Sequence, residues 1–137
     1  MNNTRPKAQL AFPMRGKSLE EVLFEWERWK DLVSDRYDVI DSICKEHDNA
    51  DHNALWYLGY SLQCMADADV LVLCRGWSNA DGCAIEAEAA MRYGKSVETI
   101  NEKGERESLI FKCNICRKAL LDWLFLINYP VEGPPRQ

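Results

Sequence analysis

Val70-Leu71-Val72-Leu73-Cys74 is an unbroken apolar run. A strand with one wet face alternates apolar and polar residues, whereas a continuous run of β-branched and leucine residues marks a central strand covered on both faces. Helices must therefore flank it. Upstream, Leu55, Trp56, Leu58, Tyr60, Leu62 and Met65 recur with helical spacing after the polar loop Lys45 to Asn53. Earlier still, Tyr37-Asp38-Val39-Ile40 reads as a strand. It follows a helix carrying Leu19, Val22, Leu23, Trp26, Trp29, Lys30 and Val33, opened by Ser18 and Glu21 at capping-box spacing. Ala8-Gln9-Leu10-Ala11-Phe12, stopped by Pro13, reads as the first strand.

Downstream, Gly76 to Asp81 is a turn-rich loop and Gly82 to Tyr93 an alanine-rich helix ended by Gly94. Ser96 to Ile100 is extended, Asn101 to Glu107 reads as an exposed turn, and Leu109 to Leu126 as a closing helix. Strand and helix thus alternate along the chain, the pattern of a parallel sheet joined by helical crossovers. The expected class is α/β: a three-layer sandwich with a central four- to five-stranded, mainly parallel sheet of flavodoxin or Rossmann type. Residues 8–129 are expected to form one domain, with a loosely held stretch at 1–7 and a flexible Pro-rich tail at 130–137.

A length of 137 residues suits one domain with one core, and 47% hydrophobic against 28% charged residues is a globular balance, not a disordered one. The net charge of −5 argues against a protein held to nucleic acid by bulk electrostatics. No stretch has the make-up of a secretory signal or membrane span, so a cytoplasmic location without membrane attachment is expected. In such a compartment the six cysteines stay thiols. Cys64, Cys74 and Cys83 lie among apolar residues, where thiols behave as small hydrophobes.

Open parallel sheets bind ligands outside the carboxyl ends of their strands, where the strand order reverses. Two loops are nominated: Pro13-Met14-Arg15-Gly16, and Arg75 to Gly82 with Gly76, Trp77, Ser78, Asn79 and Asp81. Each opens a helix whose first amides favour an anion.

Those loops carry a resemblance. Pro13-Met14-Arg15-Gly16, the strand from Ala68-Asp69 to Leu73, the Gly76-Trp77 loop running through Gly82 to Glu86, and the helix Ala87 to Gly94 resemble, in order, the motifs of the nucleoside 2-deoxyribosyltransferase-like superfamily, particularly its short phage and prophage members. The similarity spans roughly Ala8 to Val97. It implies that Glu86 attacks the anomeric carbon of a nucleoside or nucleotide and leaves a sugar on its carboxylate, as in a retaining glycosidase. It further implies a 5′-phosphate contact from Arg15, no metal or organic cofactor, and a homo-oligomer of two or more subunits. Three positions depart from the pattern. Ser61 stands where the superfamily has an aspartate, Ala80 where it has serine or aspartate, and Gln9 where a tyrosine is frequent. A hydroxyl cannot serve as a general acid in place of a carboxyl.

Other readings stay beside these. Without the resemblance Glu86 is an ordinary helix glutamate, Arg15 and Arg75 are surface charges, and Asp69 binds nearby loop amides. Trp77 stacks on a base or packs on its own domain. Cys113 and Cys116 have the Cys-Xaa-Xaa-Cys spacing of metal and redox sites but lack a second pair. His47 and His52 flank an acidic loop that is either solvated or a cation site. Five tryptophans are many for this length, and some are expected to pack against another subunit. The leading expectation is cleavage or transfer of an N-glycosidic bond. The rivals are a binder that sequesters a nucleotide-derived signal, with Ser61 among its contacts, and an interaction protein on a retired enzyme fold.

Overall fold

The computed structural model describes residues 4–45, 52–109 and Asp122. The elements are β1 (Lys7–Ala11), α1 (Leu19–Val33), β2 (Asp38–Val39), α2 (Ala54–Met65), β3 (Val70–Cys74), α3 (Asp81–Arg92), β4 (Ser96–Ile100) and β5 (Arg106–Leu109), with a 3-10 turn at Trp77–Asn79. They form a three-layer α/β sandwich around one five-stranded sheet of order β2-β1-β3-β4-β5. The first four strands are parallel, and β5 runs antiparallel to β4. Every residue of β3 is buried, as its unbroken apolar run requires.

The pleat of β1 divides the core. Leu10 joins Val72, Phe12 and the α1 residues Val22, Trp26, Trp29 and Val33 on one face. Ala11 joins Leu71, Leu73, Met65 of α2 and Cys83, Ala87, Ala90 and Met91 of α3 on the other. Apolar side chains at α1 positions 22, 26, 29 and 33 recur every three or four residues, so a single stripe faces the sheet. Ser18 starts that helix with a complete capping box, its hydroxyl accepting from Glu21 N and its own N–H donating to the Glu21 carboxylate.

Trp26 and Trp29 are both enclosed by the chain itself, on the α1 face of the sheet. The expected exposed turn at Asn101–Glu107 is corrected. The turn closes by Glu105, where Asn101 Oδ1 accepts from Lys103 N and Glu105 N at 3.0 Å each, and Arg106 already pairs with Ile100. Arg106-Glu107-Ser108 is polar because an edge strand is held by its backbone ladder and needs no apolar pattern. Leu109 ends β5 and does not begin a helix. The rest of the expected closing helix, with Cys113, Cys116 and Trp123, lies outside the described residues apart from Asp122. Among the described residues no helix is long and apolar enough to cross a membrane.

Candidate functional site

The strand order reverses between β1 and β3: α1 lies over one face, α2 and α3 over the other. Loops leaving the carboxyl ends of these two adjacent strands therefore diverge to opposite faces and leave a crevice between them. The loops approach each other at Gly76 and Pro13. Gly76 has φ +94°, a left-handed conformation that side chains rarely adopt, and a Cβ there would stand 3.5 Å from Pro13 Cγ. Lys17 braces the first loop. Its Nζ donates to the Pro13 carbonyl at 2.8 Å and pairs with Glu25, while its N–H donates to the Met14 carbonyl at 3.2 Å.

Glu86 lies one and a half turns into α3, on the same inward stripe as Cys83, Ala87 and Ala90. It is only 8% exposed. Ser61, on α2, donates its hydroxyl to Glu86 Oε1 at 2.8 Å. Ser61 in turn receives Gln9 of β1, whose Nε2 donates to the Ser61 hydroxyl oxygen at 3.0 Å and to its carbonyl at 2.9 Å. Burial drives the Glu86 carboxyl up to about 7, and the Ser61 hydrogen bond opposes that rise without cancelling it. The neighbouring Cys83 thiol is pushed up by burial first and by the charge of Glu86 second, with Lys17 pulling the other way. Cys83 is thus held as a neutral thiol at physiological pH.

The other nominated residues divide into two groups. Pro13, Met14, Arg15 and Gly16 follow β1, and Gly76, Ser78, Asn79, Asp81 and Gly82 follow β3, so all lie at the carboxyl edge of the sheet. Arg15 is exposed, as are Asn79 and Asp81. Ala80 offers no side-chain cap to α3, which leaves the helix's first amides without a covering side chain. Trp77 is half-buried and packs with Ala80 against the cluster that holds Cys83 and Leu73.

Asp69 stands apart. It precedes β3, at the amino edge of the sheet, and its Oδ2 accepts from Lys7 N at 2.8 Å. Of the two roles the sequence offers Asp69, a ligand contact through its motif or a bond to nearby loop amides, the structure shows the second: a strand holds its two ends apart, and this carboxylate ties the starts of β1 and β3.

Gln9 is the site residue that sequence reasoning noticed only as a departure. The available signal was an amide inside an otherwise apolar strand; a fully buried amide requires a polar partner on the facing helix. His52 stacks on Trp56 with ring centroids 3.4 Å apart, and His47 lies outside the described residues. Among the described residues no group of three or more His, Cys, Asp or Glu side chains could hold a metal ion.

Comparisons of the chain with profiles of protein families, with curated proteins and with solved structures found no match. The chemistry has to be read from the site itself, since a doubly wound sheet hosts many activities. What the site offers is a buried carboxyl pushed up to about 7 and anchored through one oxygen to Ser61, in a fold whose two glycine-bearing loops leave the strands at the order reversal.

Proposed function

We propose that this protein binds a nucleoside or nucleotide in the β1/β3 crevice and cleaves or transfers its N-glycosidic bond through a glycosyl ester on Glu86. The observation that carries this reading is the Glu86 carboxyl: buried on the inner face of α3, hydrogen-bonded through Oε1 and poised near pH 7. A solvent-facing helix glutamate has none of these properties. In the first step an Oε2 lone pair forms a bond to the anomeric carbon while the carbon–nitrogen bond breaks. Its electron pair leaves with the base, which takes a proton from water. In the second step water, or the nitrogen of a second base, attacks the same carbon, the ester carbon–oxygen bond breaks with its electron pair returning to Glu86 as a carboxylate, and the proton shed by the attacking group neutralises the hydroxide left by the first step. Arg15 and the uncapped first amides of α3 are the groups suited to a phosphate or sugar oxygen.

The reading includes self-association. Phe24, Leu55 and Tyr93 are large apolar side chains exposed by 67%, 73% and 84%, and a subunit interface would cover such groups. Light scattering on the purified chain measures this directly.

A second reading, a binder without turnover, is favoured by one observation. The group bonded to Glu86 is the Ser61 hydroxyl, which cannot deliver a proton to a departing base. One experiment separates the two. The protein is incubated with deoxynucleosides, nucleoside monophosphates and adenine dinucleotides, and free base is measured by chromatography. Base release that Glu86→Gln abolishes establishes the enzyme. A rise in melting temperature with one of these ligands and no base release establishes the binder. Neither response from any ligand overturns both.

A further inference from the structure

We infer that Gln9 is a positioning residue: acting through Ser61, it fixes which oxygen of Glu86 is held as an acceptor and which is left to react. The inference deepens the proposed function in its catalytic consequence, but its physical core is a hydrogen-bond direction that can be measured without any substrate.

The direction follows from which groups can donate. A backbone carbonyl only accepts, so the Gln9 group 2.9 Å from the Ser61 carbonyl must be its nitrogen. That settles the side-chain amide orientation, because the flipped amide would set two acceptors against each other. The same Nε2 lies 3.0 Å from Ser61 Oγ, so its two hydrogens go to the two oxygens of one residue. Ser61 Oγ, now an acceptor from Gln9, directs its own hydrogen onward to Glu86 Oε1, 2.8 Å away. Donation runs one way, from β1 through α2 to α3. The cost of this arrangement is visible at Gln9 Oε1, which is buried and has no hydrogen-bond partner among the described residues.

Two consequences follow at Glu86. Oε1 accepts in both charge states, so the proton of the neutral acid resides on Oε2. When that proton leaves, Oε2 is the oxygen without a donor among the described residues and is the better nucleophile of the two. Without Gln9, the Ser61 hydroxyl is at liberty to turn to the carbonyl one helical turn back, a habit of serine within helices. Glu86 would then lose the bond that favours its charged form. The groups around it leave Gln9 and Ser61 as the means of adjustment: α3 itself contributes the neutral Cys83 thiol, the β1–α1 loop contributes Lys17, which acts on Cys83, and β1 and α2 contribute the uncharged Gln9 and Ser61.

The test follows the Glu86 carboxyl carbon by NMR through a pH titration of the full chain. Ser61→Ala is expected to raise the midpoint by about one pH unit. Gln9→Met, close in shape but without donors, is expected to raise it by a comparable amount. The double variant should titrate like Ser61→Ala alone, because Gln9 acts only through the hydroxyl. A Gln9→Met midpoint equal to that of the wild type, or shifts that add in the double variant, would overturn the inference. Should Gln9→Met fail to fold, the wild-type protein still decides. The two Gln9 side-chain amide protons must exchange slowly and shift with the same midpoint as Glu86, and Ser61→Ala must abolish that response. Rapid exchange, or amide shifts indifferent to the Glu86 titration, rejects the relay. If the titrations couple as described and no base is ever released, the glycosidic reading falls and the relay stands.

Discussion

Ser61 Oγ and Glu86 Oε1 are 2.8 Å apart, and this hydrogen bond ties α2 to α3 across a layer otherwise filled by Met65, Cys83, Ala87 and Met91. Two effects compete at that carboxyl. Removal from water favours the neutral acid and the serine hydrogen bond favours the anion; the first is the larger, since the net displacement is from 4.5 up to about 7.

That balance makes stability depend on pH. A carboxyl raised on folding binds its proton more tightly in the native state, so its contribution is fully present below pH 4.5 and is lost as pH rises through about 7. The interval corresponds to about 3 kcal/mol. Glu86→Gln keeps the shape and an acceptor for Ser61 but cannot ionise. Relative to the wild type it should gain about 3 kcal/mol of unfolding free energy between pH 4.5 and pH 8 in urea titrations. A difference independent of pH would show that Glu86 is not buried in the manner described.

Gly76→Ala tests the contact between the two crevice loops. At φ +94° an alanine is strained by roughly 1–2 kcal/mol, and its methyl would stand 3.5 Å from Pro13 Cγ. The variant is expected to lower stability by that amount and to weaken any ligand held between the loops. Unchanged stability in chemical denaturation would contradict the positive φ.

Glu98 of β4 is buried with Arg36 Nη2 at 3.3 Å and Arg106 Nη1 at 3.7 Å, and the same carboxylate, after burial, helps raise the Tyr37 hydroxyl above its usual range. Removing one partner leaves a charge in a poorly solvated place. Arg36→Met should cost roughly 2–3 kcal/mol, with Arg106 limiting the loss, while Arg36→Met combined with Glu98→Met should cost less than Arg36→Met alone. A double variant whose loss equals or exceeds the single one would mean that the pair is screened by water.

The α1 capping box is open to a simple check. Ser18→Ala removes the acceptor for Glu21 N and should destabilise the protein by about 1 kcal/mol, read as a lower midpoint of thermal unfolding. Ser18→Asp retains an acceptor and should recover most of the loss.

The parts of the fold legible in the chain are those stated by local pattern. Val70 to Cys74 identified the central strand because burial on both faces leaves no place for alternation, and Ser18 with Glu21 located the start of α1 because the capping box is a short-range device. Gly94 marked the end of α3 and has φ +76°. The strand β5 escaped because Arg106, Glu107 and Ser108 carry no apolar signal; its position is set by backbone pairing with β4 after the Asn101 turn. The crevice loops were legible too, since their place follows from alternation of strands and helices. Asp69 was legible in the same way: a residue that precedes β3 stands at the amino edge of a parallel sheet, where its carboxylate accepts from Lys7 N.

The chain alone therefore determined the class of fold, the identity of the central strand and the pair of loops at the point of reversal, because periodicity and turn chemistry act over a few residues. Only the tertiary structure decided that Gln9, Ser61 and Glu86 form one directed set of hydrogen bonds. They are separated by 52 and 25 positions along the chain and come from three different elements, and their order of donation depends on distances and burial that no local pattern encodes.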